Sequence, residues 1–161
     1  MKRRSLEDSD CPIARSLDRI GDWWSLLIVR DALLGKRRFG DFQKSLGLAK
    51  NILTTRLRKL VADGVMTLAP ASDGSSYQEY VLTEKGRELL VTLVALRQWG
   101  ERHLFAPGEC DNFLVDAEHG EKLAPLRIAA KDGRPLRYDE VKLTSRPRST
   151  GARRSPRKTS H

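Results

Sequence analysis

The segment from Ala49 to Asp63 most constrains the fold, because its large apolar residues repeat at helical spacing. Leu53, Leu57 and Leu60 fall on one side of the predicted helix, where a core would bury them. The other side carries short polar side chains and cations, and Asp63 is the one acid of the segment. Such a face suits a helix lying in the major groove of DNA. An ordinary amphipathic core helix that happens to be basic is the alternative.

Three further helices are predicted before this segment. The first would begin at a cap on Asp10 and end at Ile20, and Gly21 breaks it. The second, from Trp23 to Gly35, is apolar nearly all round and is expected to be the central buried helix. The third, a short helix from Gly40 to Leu46, is separated from the basic helix by Gly47. Two short helices joined in this way, the second one basic, are typical of a helix-turn-helix.

A β-hairpin is predicted directly after the basic helix. The period changes at Gly64, and two strand-like runs, Val65 to Ala69 and Tyr77 to Leu82, flank a polar turn with an Asp-Gly pair. A hairpin in this position is a wing. The wing lacks the usual cations, since Ser72 to Glu79 contains no Lys or Arg and Asp73 at the tip would repel phosphate. Either serine hydroxyls and backbone N–H groups contact DNA, or the wing contributes little and the basic tail compensates.

A long helix is predicted from Glu84 to about Phe105, with Thr83 as its N-cap. Between Leu89 and Leu96 only Thr92 is polar, so the helix is apolar on nearly every side. A domain this small cannot easily surround such a helix, and we expect a helix of a second subunit to cover it. Burial by the first and second helices of the same chain is the alternative.

The positive charge is concentrated at the C-terminus. Residues 146–161 hold six of the 30 Lys and Arg residues and no acid, so residues 1–145 carry 24 basic residues against 21 acidic ones. Net charge is therefore weak evidence for DNA binding by the folded part. A basic N-terminus without an apolar stretch, only two cysteines and no membrane-length apolar run predict a cytoplasmic protein.

Several stretches, met in this order, resemble the HxlR-type family of winged helix-turn-helix transcriptional regulators. They are Cys11-Pro12, Ile20 to Ile28 with its two tryptophans, Arg38 to Phe42, Ile52 to Leu60, Asp63 to Val65, Tyr80 to Gly86 and Trp99-Gly100. Each stretch alone is weak, but their order is specific. The resemblance covers roughly residues 11–105 and implies a mainly α fold with a β-hairpin wing and a long C-terminal dimerisation helix.

The resemblance also implies a homodimer that binds double-stranded DNA at a pseudo-palindromic operator. The side chains expected at base edges are Asn51, Thr54, Thr55 and Arg58, and those expected at phosphates are Arg38, Lys50 and Arg56. Arg56 could equally turn inward to pair with an acid.

Cys11 has two interpretations. It lies near a helix N-terminus with Arg15 one turn ahead, features that favour a reactive thiol, and some relatives sense electrophiles or oxidants with a cysteine at the corresponding place. The resemblance therefore implies a redox sensor at Cys11 and an electrophile or small-molecule effector. The alternative is a small residue buried between helices.

The expected domains are a flexible N-terminus at 1–10, the winged-helix DNA-binding and dimerisation domain at 11–105, a small β-rich appendage at 106–145 and a disordered basic tail at 146–161. Strand-like runs at 113–115, 126–130 and 138–143, with turn signals at 119–120 and 132–133, define the appendage. It would pack on the dimer or form a ligand pocket.

Other function classes have less support. The histidines at 103, 119 and 161 form no triad or zinc pattern, so neither an enzyme nor a cofactor is expected. Glu109, Cys110, Asp111 and His119 do not have metal-ligand spacing. The main rival is a non-specific architectural nucleic-acid-binding protein driven by the tail. A winged helix used purely for protein contacts is a third hypothesis.

Overall fold

A computed structural model describes residues 5–144, so the predicted basic tail and the first four residues lie outside the described part. The elements, in chain order, are α1 (Pro12–Ile20), α2 (Trp23–Leu33), α3 (Phe39–Leu46), α4 (Lys50–Ala62), β1 (Met66–Pro70), β2 (Gln78–Leu82), α5 (Glu84–Arg87), α6 (Leu89–His103) and a 3₁₀ turn, Tyr138–Glu140. The described residues form two compact units that divide between Ala124 and Pro125. The mainly helical winged fold predicted from the sequence is confirmed.

The core forms around α4, whose predicted apolar stripe is confirmed. Leu53, Leu57 and Leu60 are fully buried and pack with residues of α2, α3 and the wing. Phe42 of α3 is also fully buried and meets the ring of Tyr80 on β2 edge-on, with 6.5 Å between centroids. Leucine and phenylalanine side chains buried to this degree each stabilise a fold by about 1.5–3 kcal/mol. The core therefore packs against the inner side of the helix-turn-helix and leaves the outer side of α4 exposed to solvent.

Helix α2 is central, as predicted, because it packs against α1, α3, α4, α6 and β2. Its start is well capped: the Asp22 carboxylate accepts hydrogen bonds from the backbone N–H of Ser25 at 3.0 Å and from its hydroxyl at 2.6 Å. The prediction that α2 is buried on every side is wrong, however, since Trp23 is 80% exposed. Because Trp23 is the first residue of the helix, it extends past the elements that cover the later turns.

The predicted cap of α1 is corrected. The N-cap residue is Cys11 and not Asp10, because Pro12 takes the first helical position, where its fixed φ and missing N–H are tolerated. The flexibility expected of residues 1–10 stays a prediction, and within the described part Leu6 contacts α1. Its backbone N–H donates to the Asp18 carboxylate at 2.9 Å.

The wing is a two-stranded antiparallel sheet whose register pairs Met66 with Leu82 and Pro70 with Gln78. Both strands begin one residue later than predicted. The backbone N–H of Tyr80 donates to the carbonyl of Arg37 at 2.8 Å, which attaches β2 to the loop before α3. The wing is thereby fixed beside the helix-turn-helix.

The long helix is divided, which corrects the prediction of one continuous helix. Thr83 is the N-cap of α5, as predicted, and its hydroxyl also donates to the carbonyl of Gly64 at 2.7 Å. Gly86 allows the same turn to approach the backbone of Val65 closely, since a Cβ at this position would lie 2.2 Å from the Val65 carbonyl oxygen. This first turn is therefore anchored to the end of α4, and α6 begins beyond Glu88.

Helices α1 and α6 keep most of their apolar side chains exposed. Only Val94 is buried on α6, and α1 has no buried residue. The exposed apolar side chains are Ile13 and Leu17 on α1 and Leu90, Val91, Leu96 and Trp99 on α6. Cover of α6 by the described residues of the same chain is therefore incomplete. Among residues 5–144, no helix is long and apolar enough to cross a membrane.

The β-rich appendage is corrected. In the described residues after 105, strand pairing consists of two isolated bridges, Val115 with Lys122 and Ala129 with Pro135. The runs at 113–115, 126–130 and 138–143 form no strands, because each bridge closes a tight turn and no neighbouring strand extends the pairing. The predicted turns are confirmed, with φ of +71° at Gly120 and +86° at Gly133.

Candidate nucleic-acid interface

The outer face of α4 presents unpaired polar groups to solvent. Lys50, Asn51, Thr55 and Arg58 are exposed, and Thr54 is half-buried beside them. Within residues 5–144, neither the Lys50 ammonium nor the Arg58 guanidinium has an ion-pair partner. A cation and an amide in this state can bind a base edge or a phosphate without first breaking an internal contact.

The two threonines use their hydroxyl protons inside the helix. Thr54 donates to the carbonyl of Lys50 at 2.8 Å, and Thr55 donates to that of Asn51 at 2.9 Å. Each hydroxyl oxygen can therefore act outward as an acceptor, and each methyl group is held in one orientation. Toward DNA these groups can accept a hydrogen bond from an amino group of adenine or cytosine or contact a thymine methyl.

Arg56 turns inward, which is the alternative that the sequence left open. Its Nε lies 3.4 Å from Oδ1 of Asp22, the carboxylate that caps α2. The Arg56 side chain is about one-third exposed. Since its charge is used between α4 and α2, it is less available to phosphate than Lys50 or Arg58.

Arg38 is held by the wing. Its guanidinium pairs with the carboxylate of Asp73 at the wing tip, and its Nε lies 3.8 Å from Oε1 of Glu79 on β2. Hydrogen bonds from Ser75, followed by the one from Arg38, lower the pKa of Asp73 to about 2. Asp73 therefore stays charged at any pH used for DNA binding, and the Arg38 cation faces a carboxylate in the free protein.

Sequence reasoning missed two residues of this cluster. Arg37 Nη1 lies 3.6 Å from Oε2 of Glu79, and the Glu79 side chain is only 5% exposed. The alternation of β2 held no signal for this, because the burial along Gln78–Leu82 does not alternate and the core residues Tyr80 and Leu82 lie on the other face of the strand from Glu79. A buried acid needs cationic or hydrogen-bonding partners, and the neighbouring basic loop supplies them.

The end of α4 is attached to α1 by a second ionic cluster. Lys59 Nζ donates to the carbonyl of Arg19 at 3.0 Å and to the carboxylate of Asp63 at 2.5 Å, and Arg19 donates to Asp63 at 3.0 Å. Burial raises the pKa of Asp63, but the hydrogen bonds from Lys59 and Arg19 outweigh it, and the net pKa is lowered. Lys59 is thus an anchor of α4 and not part of its outer face.

Cys11 is exposed at the N-cap of α1, so its interpretation as a residue buried between helices is wrong. The Arg15 guanidinium, one turn ahead of Cys11, donates to the backbone carbonyl of Ser9. Both Cys11 and Cys110 carry free thiols. A sensing role for Cys11 stays a prediction.

In the described part of the chain, residues 109–119 hold no cluster of metal-ligating side chains. The carboxylate of Asp116 accepts backbone hydrogen bonds from Glu118, His119 and Glu121, and it lies 3.3 Å from Nδ1 of His119. Hydrogen bonding, first of all from the His119 N–H, lowers the pKa of Asp116. These groups form a closed turn.

The arrangement of α3, α4 and the wing matches a known family. The sequence model of the HxlR-like helix-turn-helix matches residues 19–106, more than half of the chain. The chain belongs to this family. The match begins within α1 and ends just after α6, so it includes the whole candidate interface and leaves the residues after 106 outside the family's common part.

Relatives of this HxlR-like chain carry regulator names. An uncharacterized HTH-type transcriptional regulator of Mycobacterium tuberculosis is 42% identical over 95 residues, which span 59% of this chain and 60% of the relative. The chain thus matches less than two thirds of that protein. A Bacillus subtilis regulator named YdeP is 34% identical over 94 residues, 58% of this chain and 73% of the relative.

Two solved structures are similar to this chain in fold and sequence. PA1607, described as a candidate transcription factor, is 53% identical and has a TM-score of 0.82, with 86% of this chain and 97% of that chain covered. The redox regulator HypR in its oxidized form is 32% identical and has a TM-score of 0.53, with 60% of this chain and 100% of that chain covered. The first similarity extends beyond the winged helix, whereas the second is confined to a shorter part.

Proposed function

We propose that this protein is a cytoplasmic transcriptional regulator that binds a pseudo-palindromic DNA operator as a homodimer. The observation that carries the proposal is the division of α4, whose three leucines are fully buried while Lys50, Asn51 and Arg58 face solvent, the two cations without an ion pair among residues 5–144. Membership in the HxlR-like family and the regulator names of its relatives support this function. The same relatives carry no enzyme names, which supports a role without catalysis.

Base reading is assigned to the outer face of α4. Asn51 can pair bidentately with adenine, Arg58 can pair with guanine, and Thr54 and Thr55 offer acceptor oxygens and methyl groups. Lys50 is assigned to a phosphate near the helix N-terminus, where backbone N–H groups add to the attraction. Each such bidentate base contact typically discriminates against the wrong base by about 1–3 kcal/mol.

Dimerisation is assigned to α1 and α6. Both helices carry apolar side chains that residues 5–144 leave exposed, with Val91 63% and Ile13 71% exposed. Burial of apolar area against a second copy removes it from water at a gain of about 25 cal/mol per Å². A two-fold dimer would place its two α4 helices about 34 Å apart, in successive major grooves.

A thiol response is a second element of the proposal. Cys11 is exposed at the start of α1, the helix assigned to the dimer interface, and the fold is similar to that of the redox regulator HypR. Oxidation or alkylation of an exposed thiol there would change the packing of α1 and with it the spacing of the two α4 helices. The small-molecule class expected to act is an electrophile or oxidant.

Selection of DNA from a random-sequence library tests the proposal, with the full chain and a variant lacking residues 146–161 in parallel at near-physiological salt. Recovery of the same short palindrome by both proteins supports a specific dimeric regulator. Recovery of DNA without a motif, and loss of binding when the tail is removed, would instead support the architectural alternative.

The thiol response is tested by repeating the selection with diamide. Diamide should weaken binding of the wild-type protein to the recovered motif, and Cys11→Ser should abolish this effect. Cys110→Ser serves as the matched control and should respond as the wild type does. An equal response of Cys11→Ser and the wild type would remove Cys11 from the mechanism.

A further inference from the structure

The wing contains no Lys or Arg between Met66 and Leu82, yet two arginines lie against it. Glu79 on β2 is within ion-pair distance of both, with 3.6 Å to Nη1 of Arg37 and 3.8 Å to Nε of Arg38. Its carboxylate is buried, whereas the Arg37 and Arg38 side chains are 52% and 44% exposed. Each arginine therefore has the buried Glu79 carboxylate on its protein side and is exposed to solvent on its other side.

We propose that Glu79 is a positioning residue that fixes Arg37 and Arg38 as the phosphate contacts of the wing, and that Asp73 occupies Arg38 until a DNA phosphate replaces it. The proposal rests on the DNA binding proposed above and deepens it, because it names Arg37 as a contact and assigns roles to two acids. The cations that the wing sequence lacks are supplied by the loop before α3.

The contacts of Glu79 make it a permanent part of this site. Its Oε1 accepts a hydrogen bond from the Ser72 hydroxyl at 3.1 Å, and the neighbouring Tyr80 N–H binds the carbonyl of Arg37 at 2.8 Å. Removal of a carboxylate from beneath two guanidinium groups would leave their charges without a buried partner. Backbone and side-chain contacts thus hold the loop and β2 in one arrangement.

The contacts of Asp73 make it exchangeable. Its side chain is 52% exposed, and an ion pair that faces solvent contributes little to stability. The carboxylate is held at the tip of the wing by the backbone N–H of Ser75 at 3.0 Å. Arg38 can therefore release Asp73 and bind a phosphate, while Glu79 still orients it from the protein side.

The two acids have opposite expected effects, which distinguishes this proposal from simple repulsion between an acidic wing and DNA. Repulsion alone predicts that removal of either negative charge tightens DNA binding. Our proposal predicts that Asp73→Asn tightens binding about threefold or more, because Arg38 loses its competitor. It also predicts that Glu79→Gln weakens binding about tenfold, although the variant protein is more positive.

The experiment measures Kd against salt concentration by fluorescence anisotropy, using the full chain and a duplex that contains the selected motif. Glu79→Gln should also flatten the slope of log Kd against log salt by about one to two, because Glu79 positions two phosphate contacts and each contributes about one. Asp111→Asn, which removes an exposed acid outside the winged helix, is the matched control and should bind at least as tightly as the wild type. Tighter binding by Glu79→Gln, equal to that of Asp73→Asn, would overturn the proposal.

Two further variants keep the test decisive if Glu79→Gln does not fold, as its thermal unfolding would reveal. Arg37→Gln and Arg38→Gln alter half-exposed side chains, and each should weaken binding and lower the salt slope by about one. Unchanged slopes in both would overturn the proposal. If the wild type selects no motif, the operator hypothesis fails, but the same variants on a random-sequence duplex still report whether the wing arginines bind phosphate.

Discussion

Helices α4 and α6 both carry closely spaced leucines, but the two helices differ in how far these side chains are buried. On α4 the apolar residues Leu53, Leu57 and Leu60 are fully buried. On α6 only Val94 is buried, and Val91 and Leu96 are at least half exposed. Residues 5–144 thus bury the apolar stripe of α4 and leave most of the apolar side chains of α6 exposed.

This difference indicates that the apolar stripe of α4 stabilises the folded chain, whereas that of α6 is available for association with another chain. Apolar side chains that are buried within the chain stabilise it at any concentration, whereas those that are exposed contribute only when another surface covers them. On this basis, substitutions on the inner face of α4 should affect unfolding, those on α6 should affect association, and those on the outer face of α4 should affect DNA binding.

The largest effect is expected from Leu57→Ala on the inner face of α4. The variant leaves a cavity in a fully buried site and should lower the free energy of unfolding by about 3 kcal/mol. Urea unfolding followed by circular dichroism measures this loss. Ile52→Ala, at a 40% exposed position of the same helix, is the control and should cost less than half as much. Equal losses would mean that the two faces of α4 do not differ as described.

A charge on the exposed stripe of α6 should have the next largest effect. Val91→Glu would place an unpaired carboxylate in the proposed dimer interface and should weaken dimerisation about 100-fold or more, or about 2.7 kcal/mol. Sedimentation equilibrium over a range of concentrations measures this change. Gln78→Glu introduces the same charge at an exposed position of the wing and should leave the dimer intact. Dimerisation that is unaffected by Val91→Glu would assign the interface elsewhere.

Removal of a side chain from the outer face of α4 should affect DNA binding and leave stability and dimerisation unchanged. Arg58→Ala should weaken binding to the selected motif about tenfold, or about 1.4 kcal/mol, and relax the preference at one base position. Anisotropy with the motif and with single-base variants measures both. Lys131→Ala removes a positive charge from an exposed turn outside the winged helix and is the matched control. Arg58→Ala would contradict the assignment if it weakened all duplexes equally.

The smallest effect is expected from Asp63→Asn at the end of α4. The variant removes the carboxylate that receives Lys59 and Arg19 and should cost about 1 kcal/mol, because both cations are partly exposed. The folded-state pKa of Asp63 is lowered, so its contribution is present above the unfolded pKa of about 3.9 and is lost as pH falls through the folded value. The difference from the wild type in chemical denaturation should be constant from about pH 5 to pH 8 and shrink below about pH 4. A difference that grows in acid would contradict this assignment.

Local pattern was sufficient for most of the winged helix. The stripe of α4, the cap at Thr83 and the hairpin after Gly64 were predicted to within one or two residues. These features depend on spacing and turn chemistry, which act between residues close together in the chain. The strands predicted after residue 105 were wrong because a strand needs a pairing partner that no local pattern provides.

The candidate interface was predicted only in part. The polar residues of α4 are exposed as expected, but the sequence did not show that Arg56 pairs with Asp22 or that Arg38 pairs with Asp73. Each pair joins residues more than 30 positions apart, and a charge in a sequence has no fixed partner until the chain folds.

The sequence by itself determined that this chain forms a helix-turn-helix with a wing, because apolar period, glycine placement and capping residues act locally and agree with one another. Only the tertiary structure decided which cations are available. It turned Arg56 inward, set Glu79 beneath Arg37 and Arg38, and left Lys50 and Arg58 open to solvent. The physical reason is that burial and distance control electrostatic interactions, and both exist only in the folded chain.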